Sequence, residues 1–289
     1  MPEPDGPRKA IPLGHHAAMP DADATPTPTP PSVPPRPDLR RRVLAGEPAI
    51  GLFLNLGSLV AADVVARTGY DWALVDLEHG LASDPGVLAQ LIAIQSTPTA
   101  AIVRVLSAER LRVGRALDLG ADGVMIPRLG TVDAVRETVS WMRYPPAGVR
   151  GVAAGTRGGG YGSVPHAAIR TIDQRILGVF QVESGSAVDA ADQLATIDGV
   201  DVLFVGPADL SHDLGIPGEF GHPTFLAALD RVAAVAAAHG KAAGILLRDA
   251  SDVPAYRARG YGFLGIGSDS GLVVRNAREQ LAEARAGLG

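Results

Sequence analysis

Residues 178–211 read GVFQVESGSAVDAADQLATIDGVDVLFVGPADLS, and the fold can be predicted from their pattern. Two apolar runs, Gly178–Val182 and Asp201–Val205, flank an Ala-rich amphipathic stretch. The runs show no alternation of apolar and polar residues, which is typical of strands buried on both faces of a parallel sheet. An acidic residue, Glu183 or Asp209, follows each run. The segment therefore predicts a strand–helix–strand unit with a carboxylate beyond the end of each strand.

The same alternation continues along the chain. The predicted strands are short and apolar: Ile50–Leu54, Trp72–Asp76, Ala100–Val105, Gly123–Ile126, Gly178–Val182, Asp201–Val205, Ala243–Leu247 and Gly262–Ile266. Amphipathic stretches between them predict helices, among them Val60–Thr68, Ala108–Leu119, Val132–Met142, Ser186–Thr196, His222–His239 and Leu272–Ala286. Eight such units in about 250 residues are typical of a (β/α)8 TIM barrel, whereas open doubly wound sheets usually have fewer strands. The longest connection, Arg143–Arg175, is rich in Gly and Arg and is expected to be an active-site loop.

The first 37 residues have a different composition from the rest. They contain twelve of the 23 prolines, including the stretch Thr25–Pro31. Such a segment cannot build a helix or a sheet interior, and it buries too little apolar surface to offset its ordering entropy. We therefore predict a disordered Pro-rich extension over residues 1–37 and a barrel domain over residues 38–289.

The composition argues against several classes of protein. The chain has no Cys, which excludes disulfides, thiolate metal sites and cysteine nucleophiles. A formal net charge of −5 argues against nucleic acid or an anionic membrane as the partner, and no apolar run is long enough to span a membrane. The N-terminus lacks the apolar core of a secretory signal, so we expect a cytoplasmic protein. Lys occurs only at Lys9, in the extension, and at Lys241, before a strand, which argues against Schiff-base catalysis.

Polar side chains gather where the predicted strands end, which is where catalytic groups lie in barrels of this kind. Besides Glu183 and Asp209, these positions hold Asp76, Glu78, His79, Arg104 and Gln181. Each has a structural alternative: the acids can cap a following helix or turn, and Arg104 can belong to a buried ion pair. Because all of these alternatives would have to coincide on one rim, we favour a functional site.

Glu183 and Asp209 are 26 residues apart, about one strand–helix unit of a barrel. Two carboxylates, with water and substrate completing the shell, suit Mg²⁺ or Mn²⁺ better than Zn²⁺, since no His pair with ligand spacing lies nearby. Such a metal would polarise a 2-oxo acid and stabilise its enolate. Arg104 would face the developing oxyanion, and His79 would move the proton.

Several motifs, in this order, resemble those of the HpcH/HpaI family of class II, metal-dependent pyruvate aldolases. They are Gly69-Tyr70-Asp71-Trp72, Asp76–Gly80, Leu117–Ala121, Arg143–Pro146 with Gly148–Gly151, Gln181–Glu183 and Gly206–Ser211. The similarity runs from about Leu39 to the C-terminus. It implies a (β/α)8 barrel that usually forms a homohexamer, in which the last helix packs on a neighbouring subunit.

The resemblance also implies which residues bind the metal and the substrate. Glu183 and Asp209 match the metal ligands, for which Mg²⁺, Mn²⁺ and Co²⁺ are the candidate ions. Gln181, Asp209 and the backbone of Ala208 match the substrate-binding positions that hold pyruvate.

Three further positions match the family's catalytic residues. Arg104 resembles the residue that stabilises the enolate and the transition state, and His79 resembles the proton acceptor. Asp118 matches the acid that raises the basicity of this His. This role for Asp118 comes from the resemblance alone, because an acid at a helix end otherwise indicates a cap.

We therefore predict a divalent-metal-dependent aldolase that makes or cleaves 4-hydroxy-2-oxo acids through a metal-bound pyruvate enolate, with pyruvate and an aldehyde as partners. One alternative is a related metal-enolate lyase, either a citrate-lyase-like acyl-CoA lyase or an oxaloacetate decarboxylase, with the Arg-rich 143–175 connection available to CoA phosphates. An alternative of another class is a non-catalytic barrel whose Pro-rich extension docks a partner. The aldehyde stays open, because Phe53 stands where the best-known members have Trp.

Overall fold

The computed structural model describes residues 38–288, which form a closed barrel of eight parallel strands. Neighbouring strands pair in chain order, and the last strand closes the barrel against the first. The strands are β1 (Ala49–Leu54), β2 (Trp72–Asp76), β3 (Ala100–Arg104), β4 (Gly123–Ile126), β5 (Leu177–Val182), β6 (Val202–Val205), β7 (Ala242–Leu247) and β8 (Tyr261–Ser268). The predicted barrel is confirmed, with every strand end within two residues of its predicted position. The predicted extension, residues 1–37, lies outside the described residues.

Helices follow the strands and cover the outside of the barrel. They are α1 (Leu39–Leu44), α2 (Leu59–Ala66), α3 (Asp84–Ile94), α4 (Arg110–Asp118), α5 (Val132–Met142), α6 (Gly185–Ala195), α7 (Pro207–Asp213), α8 (Pro223–Ala238), α9 (Val253–Ala258) and α10 (Asp269–Ala286). The six predicted helices are present. Three of the four others, α3, α7 and α9, carry Pro in their first turn, where it is tolerated although it usually indicates a loop. No helix within residues 38–288 is both long and apolar enough to cross a membrane.

The barrel interior is packed with aromatic side chains. Trp72 stacks on Phe263 with ring centroids 4.5 Å apart. Phe53 contacts Trp72 edge-on, Phe204 contacts Phe263 edge-on, and Phe53 and Phe204 contact each other at a tilt. Gly51 is required beside them, because a Cβ there would overlap the indole ring of Trp72. These buried rings form a packed layer beneath the carboxyl ends of the strands.

The long connection between α5 and β5 lies at the opposite end of the barrel from the one predicted. A segment that leads from a helix into a strand reaches the amino ends of the strands, whereas active sites of barrels lie at the carboxyl ends. The Gly158 N–H donates to the carbonyl of Asp118, the last residue of α4, at 2.9 Å. The expectation that the 143–175 connection is an active-site loop is therefore wrong for the active site of its own chain. Its arginines cannot form a CoA-binding groove at that site.

Candidate active site

The Arg104 guanidinium lies at the centre of the polar cluster on the carboxyl-end rim. Its Nε and Nη2 donate to the two carboxylate oxygens of Asp76 at 2.8 and 2.6 Å. Arg104 therefore does belong to a buried ion pair, as the structural alternative predicted, but that pair uses only two of its three nitrogens. The third nitrogen, Nη1, lies 3.1 Å from Glu78 Oε2 and donates to Gln181 Oε1 at 3.4 Å. The guanidinium also lies over the ring of Phe53, 5.3 Å from its centroid. Arg104 is thus held by one carboxylate while another edge faces the rest of the rim.

Asp76 also organises the loop that carries His79. Its Oδ1 accepts hydrogen bonds from the backbone N–H groups of Glu78 at 3.0 Å and His79 at 3.3 Å. It does not cap a helix, since α3 begins later, after Ser83, so the capping alternative for this segment is wrong. The His79 side chain is 56% exposed, with Nε2 3.8 Å from Glu78 Oε2. The imidazole is therefore accessible to a substrate that approaches the rim.

Glu183 is half-buried and is held from two directions. Its Oε2 accepts from Gln181 Nε2 at 3.0 Å, and its Oε1 accepts from the backbone N–H of Arg128 at 2.5 Å. Burial raises the pKa of the Glu183 carboxyl, and the negative charges of Asp209 and Glu78 raise it further. A bound cation would relieve this unfavourable burial of charge beside charge.

The capping alternatives for the two acids are wrong. Ser184, not Glu183, caps α6, since its hydroxyl accepts from the Ala187 N–H at 3.2 Å. Gly206 is the cap residue of α7, and Asp209 lies inside the first turn. Both carboxylates are thus available to a ligand.

Glu183 and Asp209 line one cavity of about 400 Å³ on this rim. The residues that line it are Glu78, Arg128, Leu129, Glu183, Ser184, Ala187, Asp209 and Asp213. Within residues 38–288, no group of three or more His, Cys, Asp or Glu side chains is arranged to hold a metal by itself. The residues nevertheless fit Mg²⁺ or Mn²⁺, because such ions are commonly held by one or two carboxylates while water and substrate complete the shell. Gly206 contributes to the fit, since a Cβ there would come within 3.1 Å of Glu183 Oε2.

Ala208 is exposed and is the second residue of α7. Its backbone N–H belongs to the first helical turn, where N–H groups have no partner within the helix. Such an N–H, one residue before Asp209, is suited to a carboxylate oxygen of a small ligand.

Asp118 does not lie near His79 of the same chain. It is the last residue of α4, a helix that starts near the carboxyl-end rim and runs to the other end of the barrel. There its Oδ1 accepts from Nη2 of the buried Arg150 at 3.0 Å. The two residues matched to one catalytic pair thus lie at opposite ends of the same barrel.

Two residues of the site received no role from the sequence. Glu78 contacts both Arg104 and Arg128, with its Oε1 accepting from Arg128 Nε at 3.2 Å. Arg128 has a φ of 50°, which is uncommon for a residue other than Gly. The strand-end position of Glu78 was a signal, whereas nothing in the sequence indicates the backbone of Arg128.

The chain is similar to known proteins over most of its length. A family model described as HpcH/HpaI aldolase/citrate lyase matches residues 49–276. The hydroxypyruvate/pyruvate aldolase of Paraburkholderia phytofirmans is 37% identical over 253 residues, which cover 86% of this chain and 97% of that protein. The 4-hydroxy-2-oxo-heptane-1,7-dioate aldolase of Escherichia coli is 37% identical over 239 residues, covering 82% of this chain and 90% of that protein.

The fold is also similar to that of a solved structure. The HpcH/HpaI aldolase/citrate lyase family protein from Burkholderia cenocepacia superposes with a TM-score of 0.82 at 37% identity, covering 86% of this chain and 98% of that one. The chain matches relatives named as enzymes over nearly their whole length, which argues against a non-catalytic barrel. The chain belongs to the HpcH/HpaI aldolase/citrate lyase family and is a carbon–carbon lyase.

Proposed function

We propose that the protein is a divalent-metal-dependent aldolase that joins pyruvate to an aldehyde, or cleaves the resulting 4-hydroxy-2-oxo acid. The observation that supports this most directly is the pair of carboxylates, Glu183 and Asp209, in one cavity. Gln181 connects that pair to Arg104, since its amide hydrogen-bonds both Glu183 and Arg104. The names of relatives, which include pyruvate aldolases, support the choice of pyruvate.

Glu183 and Asp209 would hold the cation. Their all-oxygen ligand set suits Mg²⁺ or Mn²⁺, and Co²⁺ is a further option. When bound, the cation supplies Lewis-acid chemistry that draws electron density from the 2-oxo group and makes the adjacent methyl hydrogens more acidic.

The neighbouring residues would orient pyruvate. The backbone N–H of Ala208 would donate to its carboxylate, and the side-chain amide of Gln181 would contact it from β5. The Nη1 edge of Arg104 would donate to the oxygen that becomes negative when the enolate forms, and this contact strengthens as charge develops. Asp76 keeps that edge in place by binding the other side of the guanidinium.

The proton transfers are assigned to His79. It would accept a proton from the pyruvate methyl group, and the electrons of that C–H bond would form the enolate double bond. The same carbon then attacks the aldehyde carbon, a carbon–carbon bond forms, and the aldehyde oxygen takes a proton. Cleavage reverses these steps, and neither direction needs an oxidant or a reductant.

A neighbouring subunit would supply Asp118. Within its own chain Asp118 lies at the far end of α4, so a role in raising the basicity of His79 requires a second copy. We propose a homohexamer in which α10 packs on a neighbour. The exposure of α10 supports this, since Asp269 is its one buried residue and apolar Val273, Val274 and Leu281 face solvent.

The proposal is tested by measuring pyruvate release from a panel of 4-hydroxy-2-oxo acids, with and without a chelator. Wild-type enzyme should release pyruvate from at least one member, and chelation should abolish the release until Mg²⁺ or Mn²⁺ is restored. The double variant Glu183→Gln/Asp209→Asn should stay inactive with metal added, while its thermal unfolding midpoint stays close to that of wild type. Metal-dependent pyruvate release by that variant would contradict the assignment of the ligands.

A second candidate is a related metal-enolate lyase, either a citrate-lyase-like acyl-CoA lyase or an oxaloacetate decarboxylase. The citrate-lyase part of the family description favours the first of these. Both reactions also pass through an enolate, which is a thioester enolate in acyl-CoA cleavage and the pyruvate enolate in oxaloacetate decarboxylation. Including oxaloacetate and an acyl-CoA substrate in the panel separates the candidates. A kcat/KM for either that exceeds those for all hydroxy-oxo acids would favour the second candidate.

A further inference from the structure

Arg128 has an unusual backbone at the mouth of the cavity. It follows β4 by two residues and has a φ of 50°. This conformation is unfavourable for a side chain with a Cβ, and it persists where the surroundings hold it, often at functional sites. Here its N–H is fixed by the Glu183 carboxylate at 2.5 Å. The proposed metal ligand and the backbone of Arg128 therefore constrain each other.

The Arg128 side chain is left open to solvent. It is 77% exposed, and its Nε donates to Glu78 Oε1 at 3.2 Å. Within residues 38–288, its two terminal nitrogens make no hydrogen bond. A guanidinium has five donors in a planar fork that matches a carboxylate. Arg128 is thus anchored at one nitrogen and retains an edge that can bind a second anion.

The charge around Arg128 makes this edge significant. Four of the eight residues that line the cavity are acidic, and Arg128 is the one Lys or Arg among them. Even with the proposed metal ion on Glu183 and Asp209, the carboxylates of Glu78 and Asp213 repel an anionic group on a ligand unless another cation lies within a few ångströms of that group. Arg128 is the cavity-lining residue that can compensate for this repulsion.

We propose that Arg128 selects aldehydes that carry a carboxylate, by binding that carboxylate while the aldehyde carbon lies at the pyruvate site. The inference rests on the proposed aldolase function and names the substrate class that the function leaves open. The carboxylate takes no part in bond making, since the new bond joins the pyruvate methyl carbon to the aldehyde carbon. Arg128 is therefore a specificity-determining residue, and its effect should depend on the charge of the aldehyde.

The competing explanation is that Arg128 only holds Glu78 and Glu183 in place. A purely organising residue would affect every aldehyde equally, because the site's carboxylates are needed in each reaction. Succinate semialdehyde and butanal form a matched pair for separating the two explanations. Both have four carbons and one aldehyde, and one ends in a carboxylate whereas the other ends in a methyl group.

The experiment measures kcat/KM for each aldehyde with saturating pyruvate and metal in wild type, Arg128→Met and Arg128→Lys. Met also has a Cβ, so the backbone at position 128 is under the same constraint, and the variant removes the guanidinium together with its contact to Glu78. We expect Arg128→Met to lower kcat/KM for succinate semialdehyde about tenfold, as for loss of one exposed charge-assisted contact. Butanal should change by about twofold or less, and Arg128→Lys should fall between wild type and Met on the charged aldehyde.

Arg248→Met is the matched control. Arg248 follows β7 on the same rim and is exposed, and it is not among the residues that line the cavity. It should leave the ratio of the two kcat/KM values unchanged. An equal loss on both aldehydes in Arg128→Met, or an unchanged ratio, would overturn the inference. If wild type makes no product from either aldehyde or from any hydroxy-oxo acid, the aldolase proposal fails first and this inference with it.

Discussion

The two ends of the barrel each contain an Arg–Asp pair with a buried aspartate and nearly the same hydrogen-bond geometry. At the carboxyl-end rim Arg104 binds Asp76 at 2.8 and 2.6 Å, and at the amino end Arg40 binds Asp201 at 2.8 and 2.9 Å. Both aspartates are fully buried. Geometry and burial of the pair alone therefore do not distinguish a functional arginine from a structural one.

The difference lies in what else each pair contacts. Arg40 has its remaining nitrogen on the Gln174 carbonyl, and Asp201 accepts from the Gly178 N–H, so this pair joins helix α1 to the strands. Arg104 directs its remaining nitrogen at Glu78 and Gln181, side chains that themselves face a cavity or a proposed metal ligand. A buried arginine with an edge toward other rim side chains is a candidate for catalysis, whereas one whose donors end on backbone is structural.

The largest effect is expected for Arg104→Lys. Lys retains a positive charge for Asp76 but cannot bind it with two nitrogens and donate to the substrate as well. We expect kcat for pyruvate formation to fall about a hundredfold or more, with the free energy of unfolding changed by only about 1 kcal/mol. Steady-state kinetics and urea unfolding on the same preparation measure the two. A variant that loses stability but keeps kcat would make Arg104 a structural residue like Arg40.

Arg40→Met should show the opposite pattern. It leaves the fully buried Asp201 without a counter-charge, which should lower the free energy of unfolding by about 3 kcal/mol. At a temperature where the variant is folded, kcat should equal that of wild type. Arg40→Met/Asp201→Asn is the control, since removing the stranded charge should recover part of the stability. Loss of kcat in the folded variant would contradict a purely structural role.

The sequence predicted the carboxyl-end rim better than the amino end. Strands buried on both faces are continuous apolar runs, so their ends, and with them Glu183 and Asp209, could be placed within two residues. The 143–175 connection was predicted at the wrong end of the barrel. The order of elements already implied the amino end, since a helix precedes the connection and a strand follows it. The contacts of Arg128 could not be predicted, because they depend on a backbone angle that no residue type at that position indicates.

The proposed role of Asp118 would join the amino end of one barrel to the carboxyl-end site of a neighbouring subunit, and mixing variants tests this. If Asp118 of one subunit serves His79 of another, Asp118→Asn and His79→Asn should each be strongly impaired. Hexamers assembled from equal amounts of the two should recover about a quarter of wild-type activity, because about a quarter of the sites pair two intact residues. Activity is compared with that of each variant put through the same unfolding and reassembly by itself. Hybrids no more active than the parents would show that the two residues do not work across a subunit interface.

The smallest effect is expected at the amino end, where Asp173 is a buried residue of the long connection itself. Burial raises the pKa of its carboxyl above the ordinary value of 3.8, although the Tyr144 N–H, 2.9 Å from Oδ2, lowers it. The folded protein therefore holds this proton more tightly than the unfolded chain. The stability that this provides is fully present below pH 3.8 and is lost as the pH rises through the raised pKa.

Asp173→Asn should remove this dependence, since an amide oxygen can still accept from the Tyr144 N–H and no charge is buried. Urea unfolding between about pH 4 and about pH 7 should show the variant gaining stability relative to wild type as the pH rises, by about 1 kcal/mol or less. Arg248→Met, measured over the same range, serves as the control at the other rim, because Arg248 is exposed, and the variant leaves Asp173 and its surroundings intact and should show the wild-type slope. A variant whose stability runs parallel to wild type across this range would mean that Asp173 is compensated by the arginines around it, and that the amino end tolerates a buried charge as well as the carboxyl-end rim does.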